Sequence, residues 1–191
     1  MLKLKNTLDY LSTLIKESID NYITNIIDND RYNHCGFEML IGIPGCGKST
    51  YLKTLNNRNI VVIAPDNIRK ELTGDISDQS KNTEVWQIAE DMIIQNIFKG
   101  KYAILDATNV NIKYRQLILN AIKNIVGNGI KTYATVFNCN PSVSKQRISK
   151  DIKRGIDRAN VPDEIIDIMY DQYLDTLKVI RNEGFDKVFF L

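Results

Sequence analysis

The 191-residue sequence predicts an α/β fold, with a parallel β-sheet that carries helices on both faces. Two patterns indicate this class. Short apolar or β-branched runs alternate with segments of helical periodicity almost throughout the chain. A glycine-rich loop at residues 42–49 joins the first apolar run to the first helical segment. Because the carboxyl ends of parallel strands meet at one edge of such a sheet, we expect any ligand to bind at that edge.

The order of the elements follows from these runs. Expected strands lie at residues 37–41, 60–64, 102–105, 131–137 and 187–191. Expected helices lie at residues 47–55, from Asp66 to a loop at 73–81, and at residues 83–98, 112–126, 143–153 and 162–180. Asp66 is of a residue type that caps helix N-termini, and Pro162 suits the first turn of the last helix.

Residues 1–36 are predicted to form an amphipathic helix and a linker, separate from a domain at residues 37–191. Apolar side chains recur in steps of three and four between residues 8 and 28, which is typical of one helix face. Two interpretations stay open. The helix either packs on the flank of its own domain or serves as a docking or homo-oligomer helix.

Composition excludes several classes of protein. The chain has 43% hydrophobic and 25% charged residues, as soluble globular proteins do. Its net charge of +2 excludes a polycation, so nucleic-acid contacts would depend on local clusters of basic residues. Cys35, Cys46 and Cys139 form no C-x-x-C pair and are typical of free thiols in a reducing compartment. With no apolar run of about 18 residues and no signal-peptide core, we expect a cytoplasmic protein that does not cross a membrane.

The loop at residues 42–49 fits the phosphate-binding pattern G-x-x-x-x-G-K-[ST]. Glycines let backbone N–H groups turn toward phosphate oxygens, Lys48 supplies an ammonium for the terminal phosphates, and the Ser49 hydroxyl can ligate Mg²⁺. The sequence therefore predicts a P-loop NTPase-type sheet that binds ATP or another nucleoside triphosphate with Mg²⁺. The residues expected to bind the nucleotide are Gly45, Cys46, Gly47, Lys48, Ser49 and Thr50.

Two acidic motifs follow the second and third strands. Asp66 and Arg69 would share one helix face, where a carboxylate can accept the proton of an attacking hydroxyl and a cation can hold the acceptor. An N-cap aspartate with a solvent-facing arginine fits the same spacing. Asp106, at the end of the third strand, is expected near the metal or its waters. The alternative is a strand-ending turn with Asn109 in a left-handed conformation.

A basic run begins after the fourth strand and comprises Lys145, Arg147, Lys150, Lys153, Arg154 and Arg158. It lies where a lid over the phosphates would be, at about residues 145–161, and arginines there would stabilise transition-state charge. A solvated helix face is the ordinary alternative.

Taken together, the motifs resemble the 5′-hydroxyl polynucleotide kinase family, in particular the kinase modules of phage and bacterial nucleic-acid repair enzymes. The resemblance covers residues 39–191. It depends on the ordered set of the phosphate loop, Asp66-x-x-Arg69, the motif at residues 105–109, the segment at 154–158 and the Arg-Asn-Glu-Gly-Phe segment at 181–185.

The resemblance implies transfer of the ATP γ-phosphate to the 5′-OH end of RNA or DNA. Asp66 would be the general base and Arg69 would hold the phosphate next to the terminal nucleoside. Lys48 and Ser49 would serve ATP and Mg²⁺, with Asp106 as a supporting acid. Arg147, Arg154 and Arg158 would be lid cations, although Arg147 and Arg154 are spaced more widely than the family's lid arginines.

Two other functions fit the same motifs. A small-molecule kinase of this fold would act on a sugar, a nucleoside or a similar metabolite. A nucleotide-dependent scaffold would recruit a partner through the helix at residues 8–28, and Asp66 would then have no chemical role.

Overall fold

The computed structural model describes residues 30–191, apart from Asn128 and Asp157. The amphipathic helix predicted at residues 8–28 lies outside the described residues, and the division of the chain at residues 36 and 37 stays a prediction.

Five strands form one sheet in the order β2-β3-β1-β4-β5, and every neighbouring pair is parallel. The strands are β1 (Gly36–Ile41), β2 (Ile60–Ile63), β3 (Tyr102–Asp106), β4 (Lys131–Val136) and β5 (Lys187–Phe190). Parallel neighbours cannot be joined by tight hairpins, so each connection must cross the sheet, here through helices. The predicted α/β class is confirmed.

The helices lie close to their predicted positions. They are α1 (Lys48–Thr54), α2 (Pro65–Thr73), α3 (Asn82–Phe98), α4 (Ile112–Val126), α5 (Pro141–Lys153) and α6 (Asp163–Val179), with short 3₁₀ helices at Arg31–Asn33 and Ile180–Asn182. Among the described residues, no helix combines the length and the apolar character that a membrane span requires.

Two predicted helix starts were wrong in detail. Asp66 does not cap α2: the N-cap is Ala64, and Pro65 occupies the first turn. Proline suits that position because it lacks an N–H group and its φ is already helical. Pro162 likewise stands at the N-cap of α6, one residue before the helix. The Asp66 carboxylate is therefore not occupied by a capping bond.

The central strand β1 is buried along its whole length, as expected for a parallel sheet covered on both faces. One of its six residues is an acid. Glu38 is fully buried and accepts hydrogen bonds from Thr135 Oγ1 (2.6 Å), Tyr102 OH (3.1 Å) and Tyr51 OH (3.3 Å), with Arg31 Nη2 3.4 Å away. Since a buried carboxylate is costly without partners, this network is what permits Glu38 in the core.

Candidate active site

The phosphate loop between β1 and α1 depends on its glycines. Gly45 and Gly47 have φ values of 77° and 114°, a region that other residues rarely adopt. A Cβ at Gly42 would lie 2.7 Å from Cys46 Sγ and 3.2 Å from the Phe137 carbonyl oxygen, so a side chain there would force its neighbours to shift. The Gly42 N–H donates to the Thr108 carbonyl (2.9 Å), which ties the loop to the turn after β3.

Lys48 is folded into this loop. Its Nζ donates to the carbonyls of Gly42 (2.7 Å) and Ile43 (3.2 Å), and the residue is 9% exposed. Charged phosphate oxygens are stronger acceptors than peptide carbonyls, so a bound triphosphate competes well for this ammonium. Ser49 and Thr50 follow on the first turn of α1 and are exposed. The loop thus offers a cation and two hydroxyls at one place.

Asp66 and Arg69 form a contact on the first turns of α2. Arg69 Nη1 donates to Asp66 Oδ1 at 2.5 Å, and its Nη2 donates to Asn82 Oδ1 at 3.1 Å. The Arg69 side chain is 6% exposed, whereas that of Asp66 is 59% exposed. The interpretation of an N-cap aspartate with a solvent-facing arginine is therefore wrong. A fixed arginine instead holds a carboxylate that faces solvent.

Asp106 ends β3 and is half-buried. Burial raises the pKa of its carboxyl, the Lys48 ammonium acts in the opposite direction, and the Asp66 carboxylate raises the pKa further. Lys48, Asp66 and Asp106 also stand at or just after the carboxyl ends of β1, β2 and β3, which are neighbouring parallel strands. The structure therefore brings three of the predicted site residues to the carboxyl edge of the sheet.

The oxygen donors at this edge fit Mg²⁺. Mg²⁺ is usually held by one or two carboxylates together with waters and substrate phosphates. Asp106 has no protein hydrogen bond within the described residues, and the Ser49 hydroxyl is exposed on the same edge. Both groups are therefore available as ligands or as partners of metal-bound waters.

Asn109 has a structural role. Its φ is 49°, in the left-handed region, and its Nδ2 donates to the Leu40 carbonyl at 2.8 Å. The turn interpretation thus holds for Asn109, the last residue of the motif, and leaves Asp106 free to serve the site.

Helix α5 of the predicted lid packs directly on the phosphate loop. Arg147 Nη1 donates to the Gly45 carbonyl at 3.0 Å, and Ser144 Oγ donates to the Pro44 carbonyl. The other two predicted lid arginines lie elsewhere. Arg158 pairs with Asp151 at 2.7 Å, and Arg154 is exposed, with no side-chain hydrogen bond or ion pair among the described residues. Only Arg147 of the three contacts the loop.

A buried arginine behind the site was not predicted. Arg115 Nη1 donates to the Asn109 carbonyl (2.7 Å), while Nε and Nη2 donate to the Glu183 carboxylate (2.9 and 2.5 Å). This pair fixes the turn after β3 from behind. The sequence carried a signal, because Arg115 occupies the same apolar stripe of α4 as Ile118 and Ile122.

A family model described as an AAA domain matches residues 38–175, well over half of the chain. This chain belongs to that family. The AAA-domain match includes the phosphate loop, the Asp66–Arg69 pair and Asp106. No curated protein sequence matches this chain.

Solved structures share the fold of this AAA-domain chain. A chain of the Pnkp1/Rnl/Hen1 RNA repair complex aligns over 76% of this chain with a TM-score of 0.66 and 19% identity. The present chain spans only 46% of that repair-complex chain. A Chloroflexus aurantiacus protein described as a candidate kinase gives a TM-score of 0.55 and 13% identity over 82% of this chain and 86% of its own.

The Deinococcus radiodurans tunicamycin resistance protein gives a TM-score of 0.51 and 12% identity, over 81% of this chain and 85% of its own. Together with the AAA-domain match, these likenesses establish a fold of the P-loop kinase type. The family resemblance predicted from the sequence is confirmed at that level.

Proposed function

We propose that this AAA-domain chain is an ATP-dependent polynucleotide 5′-hydroxyl kinase that acts in nucleic-acid repair, with the 5′-OH end of RNA or DNA as its acceptor. The observation that carries the proposal is the Asp66–Arg69 pair: an exposed carboxylate, held by a buried arginine, at the same edge of the sheet as Lys48 and Asp106. A nucleotide switch or scaffold has no need of such a carboxylate.

Asp66 is the proposed general base. The 5′-oxygen of the acceptor attacks the γ-phosphorus, its proton passes to the Asp66 carboxylate, and the bond from that phosphorus to the β–γ bridging oxygen breaks to release ADP. The single contact from Arg69 Nη1 leaves the second oxygen of Asp66 unpaired within the described residues, so it is available for the proton.

Arg69 is proposed to hold the phosphate next to the terminal nucleoside. Its Nε is buried and has no partner among the described residues. An acceptor phosphate would supply a partner for a group that otherwise carries a desolvation cost.

The remaining site residues are proposed to serve the donor. Lys48 and the exposed hydroxyls of Ser49 and Thr50 would bind the phosphates together with the N–H groups of the loop, and Arg147 would carry positive charge from α5 to the same place. Arg154 and Arg158 would add their positive charge to that of Arg147 when the lid contacts the bound substrates. Mg²⁺, held through Ser49 and Asp106, would neutralise charge on the phosphates.

A small-molecule kinase is the second candidate. The chains of the Chloroflexus and Deinococcus proteins are covered almost completely by this fold, whereas the repair-complex chain is covered by less than half. The likeness therefore extends along most of a chain described as a candidate kinase that is not part of the repair complex, and this supports an acceptor other than a polynucleotide.

The direct test is transfer of labelled γ-phosphate from ATP to 5′-OH RNA and DNA oligonucleotides with Mg²⁺. Asp66→Asn keeps the shape of the side chain but accepts no proton, so kcat should fall about 10²- to 10⁴-fold while ATP affinity is retained. The matched control is Asp91→Asn, which changes an exposed aspartate on α3 and should leave kcat unchanged.

The outcomes separate the candidates. Transfer to sugars or nucleosides but to neither polynucleotide would favour the second candidate and remove the first. Full activity of Asp66→Asn would show that another group takes the proton.

A further inference from the structure

An open groove of about 590 Å³ lies on the outer side of α5, near the start of α6. The side chains that line it are Lys145, Gln146, Ser149, Lys150, Lys153 and Asp163. Five of these six residues belong to α5. Four of the five, at positions 146, 149, 150 and 153, are spaced by three and four residues and therefore share one helix face.

The groove is rich in hydrogen-bond donors and positive charge. Lys145 is paired with Asp167 at 2.8 Å, but Lys150 and Lys153 are exposed and form no ion pair within the part of the chain that the structure describes. The Gln146 amide and the Ser149 hydroxyl add neutral donors. The one acid, Asp163, stands in the first turn of α6, where the N-terminal N–H groups of the helix stabilise a carboxylate.

The helix dipole accounts for only part of this arrangement. Cations in the last turn of a helix are stabilised by the carbonyls there, which suits Lys150 and Lys153. That effect does not explain the donors Gln146 and Ser149 on the preceding turn of the same face, nor a groove beside them. Because Gln146 and Lys153 are seven residues apart, the row extends about 10 Å along the helix.

We propose that this groove binds the sugar–phosphate backbone of the acceptor strand, downstream of the end that is phosphorylated. A row of donors suits successive phosphates of one strand better than it suits a single anion. The proposal rests on the polynucleotide kinase function proposed above. It assigns to Lys150 and Lys153 a role in holding long acceptors, separate from the chemistry at Asp66.

The position of the groove predicts which lengths of acceptor strand it can bind. Ser144 and Arg147, on the opposite side of α5, contact the phosphate loop. A helix with its side chains is about 10 Å thick, so the groove lies beyond the lid from the reacting phosphate. A dinucleotide has a single internucleotide phosphate, which Arg69 is proposed to hold, so it has none left for the groove, whereas an acceptor of several nucleotides does.

The test compares two 5′-OH acceptors, a dinucleotide and a single strand of about 20 nucleotides, with wild-type protein and the double variant Lys150→Ala/Lys153→Ala. For the long acceptor, KM should rise by roughly an order of magnitude, and the slope of log KM against log salt should fall by about 1.4, the value for two phosphate contacts. The kcat for both acceptors and the KM for the dinucleotide should not change.

The matched control is Lys53→Ala/Lys99→Ala, which removes the same charge from exposed lysines at the ends of α1 and α3. This variant should behave as wild type and so exclude a general effect of net charge. An unchanged KM for the long acceptor in the groove variant would overturn the proposal. An equal loss with both acceptors would also overturn it, because the lysines would then act on the lid or the chemistry.

A binding measurement separates this proposal from the kinase function. If wild-type protein phosphorylates the dinucleotide, the kinase function stands whatever the groove variant does. Fluorescence anisotropy with a labelled single strand then tests the groove without turnover. Affinity should fall in the groove variant and not in the control variant, and equal affinities would overturn the groove proposal.

Discussion

Two arginine–carboxylate pairs in this protein share a closest contact of 2.5 Å but differ in their surroundings. In the pair of Arg115 and Glu183, the side chains are 0% and 5% exposed. In the pair of Arg69 and Asp66, they are 6% and 59% exposed. We call Arg115–Glu183 the closed pair, because both side chains are shielded from solvent. We call Arg69–Asp66 the open pair, because its acid is exposed to solvent.

Their hydrogen bonds differ in the same way. Each nitrogen of the Arg115 guanidinium has a partner, with Nη1 bound to both the Asn109 carbonyl and Thr176 Oγ1. Arg69 leaves its Nε without a partner in the described residues. The Arg115–Glu183 pair, buried and with all its hydrogen bonds made, therefore has a structural role. The Arg69–Asp66 pair, a fixed arginine beside an exposed acid, can instead bind a ligand.

The largest effect is expected from breaking the closed pair. Arg115→Ala leaves the Glu183 carboxylate buried without its partner, so the free energy of unfolding should fall by about 3–5 kcal/mol. Urea denaturation measures this change. The control Arg58→Ala removes an exposed arginine and should be nearly neutral. If both variants were equally stable, the closed pair would not support the fold.

Breaking the open pair should instead affect activity. Arg69→Ala removes charged hydrogen bonds that each contribute about 1.5–3 kcal/mol, so kcat/KM for a polynucleotide acceptor should fall about 10- to 100-fold. Arg69→Lys keeps the charge without the planar fork and should fall between wild type and alanine. If Arg69→Ala greatly lowered the free energy of unfolding but left kcat/KM for the acceptor unchanged, Arg69 would be a structural residue like Arg115.

The smallest effect, and one of opposite sign, is expected at Asp106. Burial raises the pKa of this carboxyl in the folded protein, so ionisation favours the unfolded state. We compare the free energy of unfolding of wild type with that of Asp106→Asn. The wild-type value, relative to the variant, should decrease as the pH rises above 3.8, the ordinary pKa of the group, and passes through its raised pKa in the folded protein. At neutral pH the variant should be more stable, on the order of 1 kcal/mol, but less active.

Urea titrations between pH 4 and 8 would measure this difference. Glu183→Gln supplies the contrast, since it should lower stability at neutral pH by disrupting the closed pair. A loss of stability in Asp106→Asn at neutral pH would mean that this carboxylate, like Glu183, supports the structure.

Local periodicity explains why the fold could be predicted. Helix α4 (Ile112–Val126) has its predicted bounds because its apolar stripe and the glycines after it lie in one short stretch. The residue type of Asp66 suits the predicted helix cap, but the N-cap is Ala64, two positions earlier, because Pro65 occupies the first turn. That error concerned the helix boundary and left the pairing of Asp66 with Arg69 intact.

Contacts between distant residues could not be predicted. Glu38 lies inside an apolar run, and two of its partners, Tyr102 and Thr135, are 64 and 97 residues away in sequence. The directions of the lid arginines also depend on packing. Spacing alone does not indicate that Arg147 contacts the phosphate loop while Arg158 turns back to Asp151.

The hydrogen bonds behind the phosphate loop have a consequence for synthesis of the chain. Gly42 is held by Thr108, Asn109 is held by Arg115, and Arg115 is held by Glu183. The residues proposed to contact ATP leave the ribosome long before Glu183 does. A nascent chain should therefore contain the whole phosphate-binding motif well before it can bind a nucleotide. ATP should protect ribosome-bound chains from proteolysis only after Glu183 has emerged.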